Sequence, residues 1–168
     1  RIDLTAEERT TIFTKSGMSR ELARLAFEYY FIVSLPVLKS HSICFFTGAL
    51  KNQFGFFSPE ERVRLHLSED IFRAIAEVNA AIKPSLFIVD AVETLIKNNE
   101  VRHGGIPAKL GYMLGGTDPL SLDVLGLQLL GQLAPKLKGK WYQDIPYLAH
   151  AAKMALGDPQ AQPLHLRV

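Results

Sequence analysis

Two short apolar runs with an amphipathic segment between them constrain this chain most. Phe31–Leu35 is rich in β-branched and aromatic residues and is stopped by Pro36, and Leu86–Asp90 has the same character. Each run therefore predicts a buried strand. Between them, apolar residues recur at helical spacing from Ile71 to Ile82, and Lys83-Pro84 predicts the end of this helix. Strand, helix and strand in this order predict a parallel pair joined by a right-handed crossover. We expect an α/β fold with a mainly parallel sheet flanked by helices.

Helix and strand signals elsewhere agree with an α/β fold. Ser58-Pro59 and Asp118-Pro119 each place a capping side chain before a proline, and Ser68-Glu69-Asp70 precedes the amphipathic segment; these patterns predict helix starts. Helical spacing also predicts a helix around Leu22–Ala26 and a last helix over residues 145–156. A weaker strand is predicted at 110–114, before the Gly115-Gly116 turn.

Length and composition indicate one compact domain. The 168 residues are 48% hydrophobic and 21% charged, which favours a single α/β domain over residues 1–168 with a sizeable core. Residues 158–168 are expected to form a tail. Because the chain opens on Arg1 without an initiator methionine, part of the N-terminal region of the domain is expected to be missing.

The charge pattern and the single cysteine exclude several classes of partner and cofactor. The formal charge of +2 comes from 19 basic and 17 acidic residues spread along the chain, so nucleic acid is not expected as a partner. Cys44 alone can form neither an internal disulfide nor the set of about four thiolates that an iron–sulfur cluster needs. The apolar stretch from Leu25 to Leu38 is interrupted by Glu28 and Pro36, which predicts no membrane span. A cytoplasmic location fits this pattern.

The residues that follow the first strand suggest a binding site. If the two strands are parallel, Lys39 and His41 beyond the first strand and Asp90 at the end of the second lie at the same edge of the sheet. Open α/β folds bind ligands at this edge. A neighbouring run adds Gly48, Lys51 and Asn52, where the glycine lets backbone N–H groups approach an anion.

This arrangement suggests a small anionic ligand. The lysines would neutralise its charge, Asn52 would orient it, and His41 and Asp90 are the candidate catalytic residues for proton transfer. The spacing is not that of a phosphate-binding Walker loop. The alternative interpretation is that Lys39 and Lys51 are solvated loop residues.

Two further groups of residues have open interpretations. Asp118 and Asp123 lie about one helical turn apart and would face one loop region as ligand-binding carboxylates, although Asp118 is also explained as a helix cap. His41, His66 and His103 with Asp90 offer metal-ligating chemistry. They lack the helical two-histidine spacing of strong metal motifs, so no metal ligand is assigned.

Five motifs follow one another in a fixed order along the chain. They are Leu35-Pro36-Val37-Leu38-Lys39-Ser40-His41, Thr47-Gly48-Ala49-Leu50-Lys51-Asn52-Gln53-Phe54-Gly55, Arg64-Leu65-His66, Ile88-Val89-Asp90 and Gly116-Thr117-Asp118-Pro119 to Asp123. Together they resemble a known family, domain-of-unknown-function family 362. The resemblance covers roughly Tyr30 to Gly157, and the early strand and loop of the family are expected to be missing. One departure is Asn99-Glu100-Val101-Arg102, where the family commonly has a Gly-Asn-Gly-Pro-like loop.

The resemblance implies a fold relative without implying a reaction. Members of that family are often associated with ferredoxin-type iron–sulfur modules, and their own activity is largely undefined. Two hypotheses follow for this chain. It is an enzyme-like domain that binds a small anionic molecule, or it is a non-catalytic, redox-associated module that docks a ferredoxin-type protein. Any iron–sulfur cluster would belong to the partner or to a fused module. A structural interaction domain is a third possibility.

Overall fold

The computed structural model describes residues 3–4, 6–14, 17–68 and 70–163. Short strands precede the helices, and two long strands follow the third helix. In chain order the elements are β1 (Arg9–Phe13), β2 (Ser19–Ala23), β3 (Val33–Ser34), β4 (Lys39–His41), β5 (Phe45–Thr47), α1 (Ala49–Asn52), α2 (Pro59–His66), α3 (Asp70–Ile82), β6 (Leu86–Leu95), β7 (Pro107–Gly116), α4 (Pro119–Leu133) and α5 (Pro146–Lys153).

The sheets are small and mostly antiparallel. β1 pairs with β2 and β4 pairs with β5, both antiparallel, and the third sheet has the strand order β3-β6-β7. β3 runs parallel to β6, as predicted for the two apolar runs, and this pairing extends to a bridge between Val37 and Asp90. β7 returns antiparallel to β6. The prediction of a mainly parallel sheet is therefore wrong.

The chain directions explain this correction. After Pro36 the chain enters the β4–β5 hairpin instead of continuing as a long strand beside β6. β7 follows β6 after a loop without a long crossover helix, and a connection without a crossover joins antiparallel neighbours. The fold is thus mixed α/β, with one short parallel pairing.

β6 is longer than the predicted strand and only one of its faces is packed. It runs to Leu95, so Asp90 lies in the middle of the strand and not at its carboxyl end. Phe87, Val89 and Ala91 are buried, whereas Ile88 and Asp90 point to the exposed face. The unbroken apolar run suggested a strand buried on both faces, but burial alternates with the period of two residues.

Local helix signals correctly predict where several helices begin and end. The Ser58 hydroxyl accepts a hydrogen bond of 3.1 Å from the Glu61 N–H at the start of α2. Asp118 caps α4 in the same manner, accepting from the Ser121 N–H at 2.8 Å. α3 ends at Ile82, immediately before the predicted stop at Lys83-Pro84. Glu69 of the predicted start of α3 lies outside the described residues, as do residues 164–168 of the predicted tail.

The predicted helix around Leu22–Ala26 is wrong. Leu22 and Ala23 belong to β2, and a short 3₁₀ turn over Arg24–Phe27 follows. Leu22 and Ala26 are buried, as predicted, but in a strand and a tight turn. Two or three apolar residues in so short a segment do not distinguish the helical period from the strand period.

The hydrophobic core places α1 at the centre of the fold. α1 packs against α3, α4, β5 and β6, and Ala49 and Leu50 are fully buried. The side chains that α1 presents toward β4 are therefore held on a rigid base. No helix in the described ranges is long and apolar enough to cross a membrane.

Candidate functional site

A group of cationic and imidazole side chains meets where β4, α1 and α2 come together. The rings of His41 and His66 lie 6.1 Å apart between centroids. Phe54 packs its ring against His66 at 5.1 Å, and the Lys51 ammonium lies 5.0 Å from the Phe54 ring centroid. Lys39 is two residues before His41 on β4 and acts electrostatically on both His41 and Lys51. We call Lys39, His41, Lys51 and His66 the cation cluster.

Lys51 is the most unusual member of the cluster. It is only 9% exposed, although lysine is rarely buried without a partner. Burial lowers the pKa of its ammonium, and the charge of Lys39 lowers it further, while Cys44 acts in the opposite direction. Among the described residues, no carboxylate forms an ion pair with Lys51. A buried positive charge without a counter-charge is unfavourable.

His41 is held as a neutral imidazole. Its Nδ1 accepts hydrogen bonds from the backbone N–H groups of Ile43 at 3.2 Å and Cys44 at 3.1 Å. Burial lowers the pKa of His41 to about 3, and the nearby Lys51, His66 and Lys39 contribute to this shift. The ring is therefore uncharged at neutral pH and its orientation is set by the tight turn between β4 and β5.

Cys44 lies next to the cluster as a buried thiol. It is fully buried, and burial raises the pKa of the thiol to about 11 despite the opposing influence of Lys51. Its thiolate is therefore scarce at neutral pH, and the thiolate is the nucleophilic form. The Nδ1 atom of His41 already accepts two backbone N–H groups, so this nitrogen does not act as a base toward the thiol.

Gly48 and Asp123 contact each other behind the cluster. Asp123 is 1% exposed and accepts hydrogen bonds from the N–H groups of Ala49 at 2.5 Å and Leu50 at 3.1 Å. Burial raises the pKa of Asp123 to about 7, and the two hydrogen bonds only partly oppose this. A Cβ atom on Gly48 would overlap Asp123 Oδ1. This pair therefore docks α4 on the start of α1 and holds the helix that carries Lys51.

The remaining predicted site residues lie against other partners. Asn52 donates from Nδ2 to the Ser34 hydroxyl at 2.9 Å. Asp90 is exposed, and its Oδ1 accepts from the Val92 N–H at 2.9 Å. Asp118 accepts from the Ser121 N–H and, at 2.7 Å, from the Asp158 N–H. Asp118 and Asp123 therefore face different segments, not a common loop.

The structure does not bring the metal-ligating candidates together. His103 lies on an exposed turn beside Glu100, whereas His41 and His66 are neighbours. Within the described ranges, no three or more His, Cys, Asp or Glu side chains are grouped closely enough to hold a metal ion.

Sequence reasoning did not assign His66 to the candidate site. Its ring is oriented by a contact of 2.7 Å between Nδ1 and the Arg62 carbonyl oxygen within α2. Its proximity to His41 and Phe54 depends on how α2 packs, which no local pattern indicates. The sequence had grouped His66 with His41 only as a metal-ligating candidate, and Arg64-Leu65-His66 is one of the motifs that carry the family resemblance.

The fold and the cluster define a mixed α/β domain with a partly buried cationic site. The family model described as Domain of unknown function (DUF362) matches residues 2–128. Because the match covers more than half of the chain, the protein belongs to this family. The match starts before Tyr30, where the resemblance was expected to begin, and ends before Gly157. Comparison with curated proteins and with solved structures gave no match.

Proposed function

We propose that the domain binds a small anionic molecule at the cation cluster. The observation that carries this proposal is Lys51, a buried lysine with no paired carboxylate in the part of the chain that the structure describes. Buried charges in folded proteins are normally paired. A phosphate or carboxylate group would supply the missing counter-charge.

The other members of the cluster suit the same ligand. Lys39 adds a second positive charge near Lys51. His41 is neutral and held in one orientation, so it can offer a hydrogen bond without the cost of fixing a mobile ring. Hydrogen bonds between ionised partners are about twice as strong as neutral ones. The site therefore favours anions over neutral molecules of the same size.

The chemistry of the cluster also limits what a catalytic His41 would do. With its pKa near 3, the ring carries almost no extra proton at neutral pH, whereas an efficient general acid has a pKa near the working pH. We propose that His41 acts as a hydrogen-bond donor to the anion. Proton transfer from His41 or Asp90 to a bound ligand is a further proposal, which the cluster supports less well than this donor role.

A binding experiment with a matched control tests anion binding. Phosphate, sulfate and acetate are titrated into the full chain by calorimetry, together with Lys51→Met and, as control, Lys136→Met on an exposed turn. We expect binding of at least one anion, a loss of about tenfold or more in Lys51→Met, and no change in Lys136→Met. Equal affinity in wild type and Lys51→Met, or no binding of any of the three, would contradict the proposal.

A second candidate function is docking of a ferredoxin-type iron–sulfur protein, which the family resemblance implies. The observation that favours docking is a row of exposed apolar side chains on β3 and the segment that follows it: Val33, Leu35 and Val37. The fully exposed Tyr30 precedes this row in the chain. Exposed apolar patches of this kind are typical of interaction surfaces.

The docking proposal has its own test. Leu35→Glu should abolish binding of a ferredoxin-type protein in a calorimetric titration, whereas Val63→Glu, an exposed residue on α2, should not change it. Binding that is unaffected by Leu35→Glu argues against docking at this row. Wild-type protein that does not bind the ferredoxin argues against this partner altogether.

A further inference from the structure

The hydrogen bonds of His41 determine which of its ring nitrogens carries the hydrogen atom. Nδ1 accepts from two backbone N–H groups, those of Ile43 and Cys44, so this nitrogen holds a lone pair. A neutral imidazole has one N–H and one lone pair, and the ring is neutral because its pKa is lowered to about 3. The hydrogen is therefore on Nε2. His41 offers the cluster a hydrogen-bond donor.

The hydrogen bond of His66 gives the opposite assignment. Its Nδ1 lies 2.7 Å from the Arg62 carbonyl oxygen, and a carbonyl oxygen can only accept. Nδ1 of His66 therefore carries the hydrogen, and in the neutral ring Nε2 holds the lone pair. Phe54 packs edge-on against this ring and keeps its orientation. His66 offers the cluster a hydrogen-bond acceptor.

The two rings are close enough to contact one small ligand. Their centroids are 6.1 Å apart and their planes differ by 30°, and a hydrogen bond spans about 2.9 Å between heavy atoms. The Lys51 ammonium lies near the two rings, because it contacts Phe54 and Phe54 packs against His66. The cation cluster thus combines a cation, a hydrogen-bond donor and a hydrogen-bond acceptor.

We infer that the ligand of the cation cluster is an anion that carries its own hydroxyl hydrogen, such as hydrogen phosphate or a hydroxy acid. Lys51 balances its negative charge, His41 Nε2–H donates to one of its oxygens, and His66 Nε2 accepts from its hydroxyl group. This inference rests on the proposed anion binding and narrows it to a class of ligand.

The donor and acceptor pair should exclude an anion without a hydrogen atom. Sulfate resembles phosphate in size and charge, but at neutral pH it has no O–H group. Its oxygens would face the lone pair of His66 Nε2, and that acceptor would lose its hydrogen bond. A polar group that loses its hydrogen-bond partner when the ligand displaces water is costly, so we expect phosphate to bind at least about tenfold more tightly than sulfate.

Asparagine substitutions test the donor role of His41 and the acceptor role of His66 separately. In His66→Asn the amide can keep the hydrogen bond to the Arg62 carbonyl but places no acceptor at the position of Nε2. In His41→Asn the amide oxygen can still accept from the Ile43 and Cys44 N–H groups, and only the Nε2–H donor is lost. His103→Asn, on an exposed turn, is the matched control.

The experiment measures phosphate and sulfate affinity by calorimetry at equal ionic strength and neutral pH. Wild type and His103→Asn should prefer phosphate by about tenfold or more. His66→Asn should lose this preference, and His41→Asn should weaken both anions to a similar degree. A preference that persists in His66→Asn overturns the inference.

Two further outcomes distinguish failure of the inference from failure of the proposed function. If wild type binds phosphate and sulfate equally and Lys51→Met loses both, anion binding stands and the hydroxyl requirement is wrong. If wild type binds neither, both fail. Nitrogen-15 spectra of the histidine rings provide an independent readout: hydrogen on Nδ1 of His41 or on Nε2 of neutral His66 would also overturn the inference.

Discussion

Two partly buried groups of charges in this protein differ in how their positive charges are balanced. Arg20 is 2% exposed and contacts two acids, with 3.0 Å from its Nε to Glu77 Oε2 and 3.4 Å from Nη1 to Glu61 Oε1. Glu77 in turn pairs with Arg73 at 3.1 Å. Lys51 is almost as buried, but its neighbours are two histidines, a thiol and another lysine.

The difference teaches how to distinguish a structural charge from a functional one. Around Arg20, each buried charge is compensated by a side chain of the same chain, so the group is complete when the protein folds. Around Lys51, no carboxylate in the described ranges provides such compensation. A cation left in this state costs stability, and the anion proposed as the ligand would supply the missing charge.

The largest loss of stability is expected when Arg20 is removed from its ion pairs with Glu77 and Glu61. Arg20→Met leaves Glu77 buried with fewer partners, and removing one member of a buried pair costs about 3–5 kcal/mol. Urea unfolding measures this loss. Arg24→Met is the control, because the Arg24 side chain is 56% exposed in its pair with Glu8 and exposed pairs contribute at most about 1 kcal/mol. Equal losses in the two variants would show that the Arg20 group is not a structural centre.

A smaller loss of stability is expected from a substitution at Gly48, which contacts Asp123 at the start of α1. Gly48→Ala places a Cβ against Asp123 Oδ1, which cannot withdraw without losing its hydrogen bonds to the start of α1. Overpacking of this kind costs about 1–3 kcal/mol. Gly55→Ala is the matched control, because nothing lies within 4 Å of a Cβ at that position. Chemical unfolding of both variants checks the prediction, and an unaffected Gly48→Ala contradicts it.

The pH dependence of stability tests the raised pKa of Asp123. Its pKa rises from 3.8 to about 7 on burial. Because the folded pKa exceeds the unfolded one, the folded state retains a proton that the unfolded state loses. The stabilising contribution is complete below pH 3.8 and is lost as the pH rises through about 7, by at most about 1.4 kcal/mol per pH unit.

Asp123→Asn should remove this part of the pH profile. Wild type should lose stability relative to the variant between mildly acidic and neutral pH, as measured by urea unfolding at several pH values. The neighbouring Tyr147 and Cys44 do not interfere, because burial raises the pKa of both and keeps them neutral in this range. Parallel profiles for the two proteins would show that Asp123 is already ionised in the folded state.

The smallest expected effect on stability is a gain and not a loss. It distinguishes the cation cluster from the group of charges around Arg20. Without ligand, Lys51→Met should stabilise the fold by about 1 kcal/mol, because it removes a buried charge that no carboxylate of the described residues balances. Added phosphate should raise the melting temperature of wild type by more than that of Lys51→Met, since a ligand stabilises the native state in proportion to how tightly it binds. Destabilisation by Lys51→Met as large as that by Arg20→Met would mean that Lys51 is a structural charge.

Patterns within a few residues were reliable guides to the fold. The capped starts of α2 and α4 and the end of α3 depend on hydrogen bonds and prolines near each terminus, so they are readable from the sequence. The β1–β2 hairpin was missed, and the large parallel sheet was wrong, because strand direction depends on pairing between distant segments. The apolar run of β6 did not reveal that Ile88 and Asp90 lie on an exposed face.

For the candidate site as well, residue types indicated some members, and only the structure revealed the others. Residue types identified Lys39, His41 and Lys51 as a group, and the structure places them near one another. The types of Gly48 and Asp123 also suggested ligand binding, which stays a prediction, but these residues contact each other across α1 and α4. His66 enters the cluster only through the packing of α2 against Phe54, and its residue type alone could not indicate that position.

The sequence by itself determined where α2 and α4 begin and where α3 ends, which residues are apolar enough for the core, and the family to which the chain belongs. Only the tertiary structure decided that no carboxylate in the described part of the chain pairs with the buried Lys51, and that His41 and His66 present opposite hydrogen-bonding atoms. Capping and burial preference are local properties of a few residues. Charge balance and hydrogen-bond direction depend on which distant side chains the fold brings together.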